Sequence, residues 1–96
     1  MRFEELQASR DQIYAIAEKY GVTNIRVFGS VVRGDADAMS DVDFMVNMRE
    51  GRSVFDLVAF QGEVGNLLHR DVDVVEIEGI RNPLRRRYML ADVRPL

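Results

Sequence analysis

The chain has 96 residues, 47% of them hydrophobic and 30% charged, with a net charge of −3 and no cysteine. That length allows one core and no more, so residues 1–96 are expected to form a single domain. Disulfides and thiolate metal sites are excluded, and the acidic balance speaks against binding nucleic-acid backbones. The start, Met1 to Leu6, lacks the apolar run of a leader, and no stretch reaches the ~20 apolar residues of a membrane span. A soluble, cytoplasmic protein is expected, with no membrane and no direct nucleic-acid contact. A domain this small cannot enclose a large substrate on all sides, so a partner subunit is expected to complete the site.

Elements can be read in chain order. Ser9 followed by Gln12 has the spacing of a capping box. Behind it Ile13, Ile16, Ala17 and Tyr20 recur at helical spacing, and Gly21 is placed to stop the helix. A first strand is expected over Ile25–Phe28, ending at Gly29. Ser30 to Ser40 is poor in apolar residues and reads as a short helical turn followed by a loop. In the second strand, Asp41 to Asn47, Val42, Phe44 and Val46 alternate with Asp41, Asp43 and Met45. Ser53 with Asp56 caps a helix carrying Phe55, Leu57, Val58, Val64, Leu67 and Leu68. Val72–Ile77 is the third strand. Asn82-Pro83 starts a last helix whose apolar face is Leu84, Tyr88 and Ala91. The fold class is therefore α/β (α+β): a small mixed sheet flanked by helices.

Asp41 and Asp43 are two residues apart on a strand and so project from one face. Paired carboxylates repel each other unless a cation lies between them, and magnesium, a hard ion that keeps positions for water and phosphate, suits them. An edge strand with two solvated aspartates would look the same. Gly29-Ser30 follows a strand, where glycine allows close backbone approach, free N–H groups can meet phosphates and Ser30 adds a hydroxyl. Alone it is an ordinary turn. The two features are separated by ten residues, and residue frequencies would produce that combination in roughly a few sequences per thousand. Together they place a phosphate cradle and a metal pair at one end of two strands, as nucleotidyl transfer requires. Asp73 lies between inward Val72 and Val74 and can join the cluster, as a metal ligand or a general base. Asp71 shares its face and is a rival.

Gly29-Ser30-Val31-Val32-Arg33-Gly34-Asp35-Ala36, then Ser40-Asp41-Val42-Asp43 and the later Val72-Asp73-Val74-Val75, resembles the minimal (MNT-type) nucleotidyltransferases of the polymerase-beta superfamily over nearly the whole chain. Val32, often alanine in that family, is a small departure. The resemblance implies a polymerase-beta-like core and favours Asp73 over Asp71. Free-standing chains of this size resemble MntA antitoxins, which silence HEPN-domain ribonuclease toxins by moving AMP from ATP to a toxin tyrosine. That implies ATP as co-substrate and two magnesium ions on Asp41 and Asp43, with Asp73 joining one of them and activating the hydroxyl. It also implies the β- and γ-phosphates on Gly29 and Ser30, and a hetero-complex with the toxin. Arg33 either contacts a phosphate or pairs with Asp35 or Asp37. Two other functions fit: a small-molecule nucleotidyltransferase of the aminoglycoside type, whose extra helical domain is not expected within these 96 residues, and a partner that binds nucleotide or occludes without turnover.

His69 is expected at a helix C-terminus, interacting with the dipole. Arg85-Arg86-Arg87 reads as a solvated face or as a dock for an acidic partner. Phe3, Phe55 and Phe60 are expected in a core or an interface.

Overall fold

The computed structural model describes residues 1–37 and 40–96. Its order is α1 (Phe3–Ala8), α2 (Arg10–Tyr20), β1 (Val22–Phe28), α3 (Ser30–Arg33), β2 (Val42–Met48), α4 (Val54–Leu68), β3 (Val72–Glu76), a 3-10 turn (Ile77–Gly79), α5 (Pro83–Leu90) and β4 (Val93–Pro95). Part of the loop expected after the short turn, residues 38 and 39, lies outside the described residues.

The strands form one mixed sheet in the order β3-β2-β1-β4. β2 and β3 are parallel and are joined by α4, the long crossover that parallel strands need. The other two pairings are antiparallel. Val27, Val42, Phe44 and Val46 are fully buried, as alternation along their strands predicts. Ile13 and Ala17 of α2 and Phe60, Val64 and Leu68 of α4 join them in the main cluster. Met45, expected to face outward with Asp43, is also fully buried, though outside that cluster.

β1 begins three residues earlier than alternation alone suggests. Its pairing with β2 shifts between Thr23 and Arg26, and Asn24 takes a positive φ of 51°. This bulge lets both Val22 and Ile25 face the core, three residues apart, which a regular strand forbids. Asn47 holds the bulge, its Oδ1 accepting from Asn24 Nδ2 and Arg26 Nη2, each at 2.9 Å.

The helix ends marked in the sequence follow their capping chemistry, except at Ser9. Gly21 closes α2 in the left-handed region at φ 71°. Ser53 Oγ accepts from Phe55 N–H while Asp56 Oδ2 accepts from Ser53 N–H, completing the box expected at α4. Asn82 Oδ1 accepts from the N–H groups of Leu84 and Arg85. Ser9 makes no side-chain cap. It already ends α1, at φ −100° and ψ 9°, and this is not the extended backbone an N-cap needs.

α1 and β4 are not foreshadowed by any pattern. α1 has six residues and buries only Phe3 and Leu6. The termini meet there: the Arg94 guanidinium lies 4.0 Å from the Phe3 ring centroid, and Arg10 Nε donates to the Leu96 carbonyl at 2.8 Å. α5 departs furthest from expectation, for it buries none of its residues. Leu84 is 76% exposed and Tyr88 79%, so the face expected to pack inward faces solvent.

Candidate active site

β1 ends at Phe28, whose Cα partner on β2 is Asp43. Gly29 then turns the chain sharply, with φ 78° and ψ −149°, a region where side chains are strongly disfavoured. Its carbonyl accepts from Val32 and Arg33 N–H, both at 3.1 Å, and this starts the short helix α3. Val31 is buried and anchors the helix to the core. The N–H groups of Ser30 and Val31 stand at the helix start, where no intrahelical acceptor exists.

Gly29 is required for a second reason. A Cβ there would lie 2.5 Å from Asp43 Oδ2, inside any allowed contact. The turn and the carboxylate therefore touch, and the glycine is what gives the carboxylate its room.

Asp43 also faces β3, where its Cα partner is Asp73. The two strands are parallel, so both carboxylates project from one face of the sheet at the same level. Asp41 precedes β2 and is exposed, as is Asp73, whereas Asp43 is half-buried. Burial pushes the Asp43 carboxyl up to about 6, and the charges of Asp73 and Asp41 push the same way, while Arg33 opposes them. Asp71 is held differently. Its carbonyl accepts from Val42 N–H at 3.0 Å, and it sits before β3 with no registered partner at the level of Asp43.

Among the described residues, no three acidic or imidazole side chains converge on a single metal position. The electrostatics nevertheless fit a cation. A half-buried carboxylate beside two others is unstable as an anion, and a hard divalent ion matches an all-oxygen donor set. Asp41, Asp43 and Asp73 could hold it, with Asp43 central.

Arg33 forms the anticipated ion pair with Asp35, Nε to Oδ2 at 3.3 Å, and still influences Asp43. The Asp37 N–H donates to Ser40 Oγ at 3.1 Å. His69 caps α4 in the left-handed region and is exposed, at the helix C-terminus where it was expected. Phe3 and Phe60 are core residues, while Phe55 is 81% exposed.

Two concavities flank the carboxylates. One, of about 230 Å³, lies between the Gly29 turn and α5, and takes in Ser30, Arg33, Asp43 and Tyr88. The other, about 1080 Å³, runs along α4 to Asp41 and Asp73. The α5 wall of the first was hidden from the sequence, because Tyr88 there reads as one position of an inward apolar face.

Residues 10–94 match the family profile described as a nucleotidyltransferase domain. A protein of Methanocaldococcus jannaschii, provisionally named a protein adenylyltransferase, is 35% identical over 78 residues, covering 81% of this chain and 84% of the relative. Protein adenylyltransferase MntA of Thermococcus cleftensis is 34% identical over 71 residues, covering 74% of this chain and 72% of that protein. A solved structure described as a minimal nucleotidyltransferase superposes with a TM-score of 0.84 at 35% identity, over 100% of this chain and 97% of its own. A toxin–antitoxin structure with AMP-PNP shares the fold, with a TM-score of 0.73 at 17% identity, over 88% and 69%.

Proposed function

The chain belongs to the nucleotidyltransferase domain family, and from that premise we propose that it moves AMP from ATP to a tyrosine hydroxyl of a HEPN-type toxin, acting as the antitoxin. The observation that carries this reading is the contact of Gly29 with Asp43, itself registered with Asp73. One side chain thereby belongs to both the phosphate turn and the carboxylate cluster.

Gly29 and Ser30 hold the β- and γ-phosphates through backbone N–H groups and the Ser30 hydroxyl. Arg33 lends positive charge beside them. Asp41, Asp43 and Asp73 hold magnesium, which when bound neutralises the charge developing on the transferred phosphorus. Asp73 takes the phenolic proton as the tyrosine oxygen bonds to the α-phosphorus. The bond from that phosphorus to the bridging oxygen breaks, and pyrophosphate leaves. MntA of Thermococcus cleftensis, named for protein adenylylation, and the fold shared with toxin–antitoxin complexes support a protein acceptor.

The test is incubation with magnesium, ATP and the product of the neighbouring gene, read by mass spectrometry for added AMP. Asp41→Asn and Asp43→Asn variants should lose the addition. Full activity in both variants would refute the site. Inhibition of the partner by wild type with no mass change would favour simple occlusion.

A further inference from the structure

α4 carries two apolar faces. Leu57, Phe60, Val64 and Leu68 turn inward to the core. At about 100° per residue, Phe55, Val58, Gly62 and Asn66 share the opposite side, which should be solvated and charged. It carries no charge. The helix has only two charged residues, Asp56 and Glu63, and both are engaged within the chain. Asp56 completes the cap with Ser53 and pairs with Arg52, while Glu63 accepts from Lys19 Nζ at 2.9 Å and from the Tyr20 hydroxyl. Val54, Phe55 and Val58 are 65%, 81% and 61% exposed. Exposed apolar side chains grouped in this way mark a binding surface.

The stripe leads into the groove of about 1080 Å³ that ends at Asp41 and Asp73. Val58 and Gly62 line that groove, and nothing lies within 4 Å of where a Gly62 Cβ would stand. The far end is acidic: Asp41, Asp71 and Asp73 face one arginine, Arg70, whose Nη1 reaches the Asp37 carbonyl at 3.5 Å.

Sheet order gives this groove a direction. Gly29 and Ser30 lie at the end of β1, and Asp73 lies on β3, on the other side of β2. Displacement at phosphorus keeps the entering and leaving oxygens in line. With pyrophosphate leaving on the β1 side, the acceptor enters from the β3 side, along this groove.

We infer that the outward stripe of α4 is the docking surface for the acceptor segment of the partner protein. That segment presents apolar side chains to Phe55 and Val58, and a tyrosine to the end of the groove at Asp73. The inference rests on the function proposed above and specifies where and how its acceptor is recognised.

Phe55→Glu and Val58→Glu test it on exposed positions, with Leu84→Glu on α5 as the control. Each is assayed for AMP transfer to the neighbouring gene's product and, by calorimetry, for Mg–ATP affinity. Both α4 variants should lose at least about tenfold in kcat/KM for the partner, mainly through KM, with Mg–ATP affinity unchanged. Unchanged partner kinetics in both α4 variants overturn the inference while the proposed function stands. So does a loss confined to Leu84→Glu, or a dimer of wild type that Phe55→Glu dissolves. If wild type transfers AMP to nothing, the proposed function fails, and this inference with it.

Discussion

The Gly29 turn and α5 face each other across a small cavity, yet they are built by opposite means. The turn is fixed from below by Val27, Val31 and Phe44, all in the main buried cluster. α5 has no fully buried residue, only the half-buried Met89 and Leu90, and is set by its Asn82 cap and the strand that follows it. The chemistry thus rests on the well-packed wall, and the facing wall has no fully buried residue to anchor it.

Substitution on the well-packed side should do the most damage. Gly29→Ala forces a side chain into a positive φ and against the Asp43 carboxylate. Nucleotidyl transfer should fall at least about a hundredfold, the scale of losing one well-placed stabilising group. An unchanged rate would mean the turn does not position the nucleotide. Phe44→Ala, directly beneath it, should cost about 3–5 kcal/mol in denaturant unfolding, because a fully buried ring leaves a cavity.

Asp43→Asn separates function from stability. In the fold the Asp43 carboxyl is raised from 3.8 to about 6 by burial, Asp73 and Asp41, so the folded chain holds that proton more tightly than the unfolded one. Stability on this account is greatest below pH 4, falls as the pH rises toward 6, and stays lowered above it. Without magnesium, Asp43→Asn should be more stable than wild type at pH 7 by on the order of 1 kcal/mol, allowing for solvent screening, with no gain at pH 4. Adding magnesium should stabilise wild type alone. Thermal melts across pH, with and without the ion, would show it, and a destabilised variant at pH 7 would contradict it.

The smallest effect belongs to α5. Leu84→Ser should change stability by within about 0.5 kcal/mol, as at an ordinary surface site. A larger loss in chemical denaturation would show that the helix packs after all.

What the sequence made legible follows the same division. Alternation around Val42, Phe44 and Val46 identifies β2 because one face is truly buried, and Gly29 stands out because few residues tolerate its backbone. Asp73 can be placed on the carboxylate face by parity, but its level with Asp43 depends on strand register, a tertiary property that no local pattern encodes. β1 is read short because the bulge at Asn24 breaks the alternation. α1 and β4, at six and three residues, are too short to show a period. In α5, Leu84 and Tyr88 have helical spacing that is the same whether the face packs or not. Phe55 and Val58 of α4 raise the same ambiguity: composition marks them as apolar but not as outward.

The central claim is that the Gly29 turn and the three aspartates form one site for nucleotide and metal. Calorimetric titration with a non-hydrolysable ATP analogue, with and without magnesium, tests it on wild type and Asp43→Asn. Wild type should bind far more tightly with magnesium present, and Asp43→Asn should lose that dependence. Magnesium-dependent binding that survives unchanged in Asp43→Asn would contradict the account.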